Sequence, residues 1–235
     1  MNFASKTPLR AILITAFTGM IIFSTTLVSL IYYFSSKNTV NDAAFRLRDE
    51  FTLRITEHVN TFLAIPHRIN RINAKLIKRG SLNPYRPLEL AAHFRDQVEI
   101  FDSVSSIYMG NPAGGLINSG REPGSEDRYI ILTDNNRRGK FRKYALDEDG
   151  RPGKVTASAP DFDATSRSWY TLAIEEKKPV WSSVYILFTG QDMAIAASRP
   201  VYDKKGILIG VVSVDIFLSQ ISNYLSKLNI GETGE

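Results

Sequence analysis

Between positions 162 and 185 the chain reads Phe162-Asp163-Ala164-Thr165-Ser166-Arg167-Ser168-Trp169-Tyr170, then Pro179-Val180-Trp181-Ser182-Ser183-Val184-Tyr185 after a short helical stretch. One guanidinium, an indole N–H and phenol groups therefore fall within a small span. The planar fork of Arg167 donors matches a carboxylate bidentately, and Trp169, Tyr170 and Tyr185 supply rigid walls with directional hydrogen bonds. These residue types suit recognition of a small anion. They suit equally a structural arginine stacked on a core tryptophan, and both readings stand at this point.

Groupings that could catalyse are sparse. His58, His67 and His93 all fall in stretches of helical periodicity and none belongs to a His-Glu-x-x-His arrangement, so a metalloprotease site is unsupported. No Gly-x-Ser-x-Gly elbow occurs. Gly150-Arg151-Pro152-Gly153-Lys154 contains a Gly-Lys pair, but Val155 follows where a phosphate loop needs Ser or Thr for Mg²⁺, and the segment reads as a hairpin turn. Asp161 and Asp163, two apart beside Pro160, read as a cap or loop pair rather than a general acid and base. The absence of cysteine excludes disulfides and zinc-thiolate centres and leaves the redox compartment open. No catalytic residue, metal or cofactor is predicted.

The elements around this segment are legible in part. Residues 11–34 carry no charged side chain, and as a helix at ~1.5 Å per residue they would span ~36 Å against a hydrocarbon core of ~30 Å. The run exceeds the core of a cleaved signal peptide, and Tyr32 and Tyr33 stand where interfacial aromatics sit, so a transmembrane helix is predicted after a 1–10 tail. Lys6 and Arg10 are nearly balanced by Lys37, Arg46 and Arg48, so the positive-inside count does not orient it. Over 35–80, Val40, Ala44, Leu47, Phe51, Ile55, Val59, Phe62, Ile65, Ile69, Ile72 and Leu76 recur at spacings of three and four, which predicts a long amphipathic stalk helix kinked at Pro66 and ended by Gly80 and Asn83-Pro84. Its stripe is too long for one small domain to bury throughout, so it serves as a dimer seam, as core, or as each at different heights.

A shorter helix is expected over 87–101, with Leu90, Ala91, Phe94, Val98 and Phe101 on its apolar side. Short β-prone runs follow at 104–109, 115–119, 129–133, 141–146, 193–199 and 207–214, separated by turn clusters such as Asp147-Glu148-Asp149-Gly150 and Asp203-Lys204-Lys205-Gly206. Without regular βαβ alternation this predicts an α+β fold with a largely antiparallel sheet.

Of the chain's 235 residues 29 are Lys or Arg and 24 are Asp or Glu, but the excess is local. From 37 to 79 there are 9 basic and 4 acidic residues, whereas from Ser81 onward 18 basic residues face 20 acidic ones. A nucleic-acid reader would place its basic stripe on the folded domain, so no nucleic-acid partner is expected.

In the same segment the sequence resembles the double-Cache (dCache) family of extracytoplasmic sensor domains of bacterial transmembrane receptors. Phe162-Asp163, Arg167, Trp169-Tyr170 and Ala173 match the family's Tyr-Asp-x-Arg-x-Arg-x-Trp-Tyr-x-x-Ala pattern, Tyr185 follows at the expected spacing, and Gly210-Val211-Val212-Ser213-Val214-Asp215 matches its closing strand. The resemblance runs from about Lys37 to the C-terminus. It implies a PAS-like, membrane-distal module over 81–220, a parallel homodimer through the long helix, an N-terminus in the cytoplasm, a single span in the inner membrane and a sensor domain in the periplasm or outside the cell. It further implies a small-molecule pocket formed by Phe162, Arg167, Trp169, Tyr170, Tyr185 and Asp215.

In the amino-acid-binding branch of that family Arg, Trp and Tyr hold the carboxylate and two Asp hold the ammonium group. Here Asp215 matches one Asp, but Leu187 stands in place of the other and Phe162 replaces a Tyr, so the expected ligand is a carboxylate-bearing or other small polar molecule rather than a standard α-amino acid. Residues 221–235 read as a connecting helix and the start of a second module, so the chain is expected to be a piece of a longer receptor. The output would be a histidine kinase, a nucleotide or diguanylate cyclase, or a chemoreceptor, driven by a ligand-induced population shift passed to the long helix. A ligand-free spacer is the alternative, favoured if side chains such as Leu187 and Phe188 fill the pocket.

Overall fold

The computed structural model describes residues 9–188 and 192–227, without the side chains of 38–41, 43 and 44. Residues 1–8 of the expected 1–10 tail, the start of a second module after 227, and the stripe positions Val40 and Ala44 therefore lie outside what is described. The chain divides into two compact units, Met1–Thr56 and Glu57–Glu235.

Helix α1 runs over Leu9–Arg79. Its first part, Leu9–Lys37, is long and apolar enough to cross a membrane. Pro66 lies inside α1 without ending it. The helix stops where the sequence places its end: Gly80 takes a left-handed conformation at φ 79°, and the Ser81 N–H donates to the Leu76 carbonyl at 3.0 Å. Helix α2 spans Pro87–Ile100, opened by a proline whose missing N–H costs nothing at a first-turn position.

The buried face of α1 follows the apolar stripe at Phe62 and Ile69 and departs from it further along. Ile72 is 48% exposed, while Ile77 is 4% exposed and Asn70 and Asn73 are fully buried. Their amide nitrogens are bonded: Asn70 Nδ2 donates to the Ala197 carbonyl at 2.7 Å, leaving Asn70 Oδ1 unpartnered, and Asn73 Nδ2 donates to Gln97 Oε1 at 2.8 Å. Gln97 Nε2 returns a bond to Asn73 Oδ1 at 3.0 Å, and His93 Nε2 reaches the same oxygen at 2.9 Å, tying α2 to α1.

Nine strands follow: β1 Ser106–Gly110, β2 Leu116–Arg121, β3 Arg128–Thr133, β4 Gly139–Leu146, β5 Pro152–Phe162, β6 Val180–Trp181, β7 Tyr185–Ile186, β8 Met193–Tyr202 and β9 Leu208–Phe217. Helix α3, Ser168–Glu176, joins β5 to β6, and α4, Leu218–Lys227, follows β9. The strands form one antiparallel sheet in the order β5-β4-β3-β2-β1-β9-β8-β6, with β7 also paired to β8. The α+β class and six of the strands match expectation within a few residues. Strand β5 has no counterpart in the sequence reading and starts within the 150–154 segment read as a hairpin turn: it is an edge strand, exposed along most of its length, so it carries no alternation of apolar residues.

Alternation along the central strands sends side chains to opposite faces. Ile107, Met109, Ile117, Ile130, Val212 and Val214 join Ile69, Ile77, Leu90, Phe94 and Val98 in a core beneath α1 and α2. Tyr108, Leu116, Tyr129, Ile131, Phe141 and Val211 face the other way and meet Phe162, Trp169, Tyr170 and Ala173. The second face carries the candidate site.

Candidate functional site

Asp163 opens the site by folding the chain after β5. Its Oδ1 accepts from the Thr165 N–H at 2.9 Å and the Thr165 hydroxyl at 2.6 Å, capping a single 3₁₀ turn over Ala164–Ser166. Arg167 then sits at the N-cap of α3, where its carbonyl accepts from the N–H groups of Tyr170 and Thr171. The backbone of Arg167 is thus committed to the helix. Its side chain lines a cavity, forms no ion pair with any described residue, and lies 5.5 Å from the centre of the Phe188 ring.

The opposite wall is an acid held by hydroxyls. Asp215 on β9 is 2% exposed, and its Oδ1 accepts from Tyr108 Oη at 2.6 Å and Tyr185 Oη at 2.7 Å, while Ser106 Oγ donates to Oδ2 at 3.2 Å. The two phenol oxygens are 3.1 Å apart. Burial pushes the Asp215 carboxyl up to about 6, against the opposing pull of the three hydroxyls and of Arg167. The same burial, with the adjacent carboxylate, holds Tyr108 and Tyr185 well above the usual phenol range. Both phenols are therefore neutral donors at physiological pH.

Aromatic rings close the remaining sides. Trp169 meets Tyr108 edge to face at 4.8 Å. Phe188 packs 5.3 Å from Phe141 and 5.0 Å from Phe162, and Leu116, Asn118, Tyr129, Ile131 and Leu187 complete the lining. The cavity they line has a volume of about 50 Å³.

Phe162, Arg167, Trp169, Tyr185 and Asp215, five residues singled out from the sequence, converge on this cavity. Tyr170, the sixth, does not line it. It is buried beside Trp169, 5.7 Å away ring to ring, and its environment pushes the phenol to about 12, chiefly by burial. Sequence reasoning missed Ser106, Tyr108, Asn118, Tyr129, Ile131 and Phe141. The signal was available only as strand alternation, because these residues acquire a common face once β1 to β4 are paired.

Residues 119–223 match the family model described as methyl-accepting chemotaxis protein-like, first PDC sensor domain. Over these residues the chain is similar to a Cache-type sensor domain of chemotaxis receptors. A stretch of 77 residues is 38% identical to methyl-accepting chemotaxis protein McpC of Bacillus subtilis (strain 168), covering 32% of this chain and 12% of that protein. The fold of the Cache module is similar to the ligand-binding domain of the Campylobacter jejuni chemoreceptor Tlp3 in complex with 4-methylisoleucine, at a TM-score of 0.51 and 18% identity over 77% of this chain and 62% of that one. It is also similar to the ligand-binding domain of the Pseudomonas aeruginosa amino acid chemoreceptor PctC in complex with GABA, at a TM-score of 0.48 and 16% identity over 72% and 61% of the two chains. The chain thus spans less than two thirds of these relatives.

Proposed function

We propose that this chain is the sensing region of a membrane-anchored chemoreceptor, and that its Cache module binds a small carboxylate on Arg167. The observation that carries the reading is the state of that guanidinium: half-buried at a cavity wall, with no carboxylate among the described residues within ion-pair distance and only the buried Asp215 acting on it from across the cavity. A charged group placed so retains most of its capacity for a bidentate anion. Trp169 and Tyr185 would bound the carboxylate, with Phe162 an apolar wall and Tyr170 packed behind Trp169.

The matches to chemotaxis receptors over 119–223 and to McpC support the chemoreceptor among the possible outputs. The apolar segment Leu9–Lys37 supports anchorage in a membrane, and the match to a chemotaxis-receptor sensor domain supports the inner membrane with the sensor module on its outer side. A parallel homodimer belongs to the proposal, with a second copy of α1 covering residues such as Leu47 and Phe51, which are 54% and 37% exposed. A site-specific cross-link at Leu47→Cys tests it: a disulfide-linked dimer is expected, and a chain that stays monomeric at membrane densities rejects it.

The reading is tested by thermal unfolding of the full chain in lipid nanodiscs against a panel of small carboxylates, amines and nucleobases. A ligand at ~100 times its dissociation constant adds about 2.7 kcal/mol, several degrees in midpoint for a domain of this size. The shift is expected with carboxylates only and is lost in Arg167→Ala. The size of the cavity favours a second reading, a ligand-free spacer whose pocket is filled by Phe188 and Leu187; a folded sample that no compound shifts would support it.

A further inference from the structure

Asn118 sits on β2 opposite Tyr108 of β1 and Ile131 of β3, so its side chain shares the cavity face. It is 7% exposed, and its Oδ1 is buried without a hydrogen-bond partner. Leaving an amide acceptor buried and unpaired lowers stability, a cost that an aliphatic residue on this face, shared with Leu116, Ile131 and Phe141, would not carry. The other carboxylate or amide in the wall is already engaged, since Asp215 takes Tyr108, Tyr185 and Ser106.

We infer that Asn118 Oδ1 accepts a hydrogen bond from a neutral hydroxyl of the ligand, which makes the preferred ligand of this cavity a small hydroxy acid. The inference rests on the proposal that Arg167 holds the carboxylate and adds the second point of recognition. A neutral donor fits better than an ammonium group. One amide oxygen amid apolar side chains compensates little of the cost of stripping water from a cation, and the single buried carboxylate nearby already carries three hydroxyl donors. A hydroxyl needs only one acceptor. A site with an unpaired acceptor also discriminates against the analogue lacking the donor, because that analogue leaves the oxygen unpaired in the complex.

The test uses probes matched in carbon number: butyrate, 2-, 3- and 4-hydroxybutyrate, and 2- and 4-aminobutyrate, titrated into the full chain in nanodiscs with calorimetry. The expected result is that at least one hydroxybutyrate binds about tenfold more tightly than butyrate, the factor that ~1.4 kcal/mol converts to. In Asn118→Leu the preference falls to about one, and the unliganded midpoint rises because the unpaired acceptor is gone. Asn118→Asp serves as the second variant, and there the preference moves toward an aminobutyrate. Equal affinities with and without the hydroxyl, or a preference that survives Asn118→Leu, overturn the role of Asn118 and leave Arg167 standing. If none of these acids binds the wild type, the carboxylate reading falls and this inference falls with it.

Discussion

Gly110 lies so close beneath Trp169 that a Cβ built on it would stand 2.6 Å from the indole Cη2, 3.0 Å from Ala164 Cβ and 3.2 Å from Tyr170 Cδ2. The last residue of β1 is therefore the floor on which the Arg-x-Trp-Tyr segment rests. Overpacking of this kind costs about 1–3 kcal/mol. Gly110→Ala is expected to lower the midpoint of thermal unfolding and to move Trp169 away from Tyr108, weakening carboxylate binding. An unaltered midpoint with unaltered binding would mean that the loop accommodates the methyl freely.

Asp215 gives the module a pH dependence of definite sign. Its carboxyl is lifted by burial to about 6, whereas in the unfolded chain it titrates near ~3.9. Between those values the folded protein retains a proton that the unfolded chain has released, so stability falls as pH rises through that window. At ~1.4 kcal/mol per pH unit the ionised group costs on the order of 3 kcal/mol at neutral pH. Urea unfolding at pH 4 and pH 7 should show wild type losing up to about that much relative to Asp215→Asn. A difference independent of pH would place the carboxyl back in its ordinary range.

Much of this was legible in the sequence, and what was not has specific causes. The C-terminus of α1 could be read because Gly80 does something only a left-handed residue does readily. Strands β1 to β4, β8 and β9 could be read because their apolar residues fill both sides of a covered sheet. The α1 face was legible at Phe62 and Ile69, which are buried, but hydrophobicity cannot find Asn70 and Asn73, which are buried by virtue of partners supplied from β8 and α2. Five pocket residues were found because they are near neighbours in a motif or end a distinctive strand. Tyr108 and Asn118 were not, since their place beside Asp215 and Arg167 depends on pairings between strands up to a hundred residues apart.

Phe188 occupies the space before Arg167, where on the proposed reading a carboxylate would bind. Its ring lies 5.5 Å from the guanidinium and packs on Phe141 and Phe162, yet the residue is 43% exposed. A contact of this type between a cation and an exposed ring contributes roughly 0.5–1 kcal/mol. Phe188→Ala should therefore tighten carboxylate binding about two- to fivefold and admit longer acids, at a small loss of stability. Calorimetric titration distinguishes this from a wall that contacts the ligand, in which case affinity would fall.

Asn73 offers a test of how the cavity face communicates with the helices. It bonds Gln97 twice and His93 once, on the face of the sheet opposite the cavity. Burial lowers the His93 pKa, so its imidazole is neutral at pH 7 and donates through Nε2 to the Asn73 oxygen. Asn73→Leu strands the Gln97 amide and the imidazole together, and a loss of about 2–3 kcal/mol in urea unfolding is expected. Adding Gln97→Leu should recover part of it, because replacing both members of a buried polar pair costs less than removing one. Neither change touches Arg167, Trp169 or Asp215, so carboxylate affinity should stay within about twofold, since the stability of the folded state exceeds the loss. If affinity dropped with stability, the α1–α2 clamp would be coupled to the cavity through β1 and β2, and the clamp itself would be an element that the ligand biases.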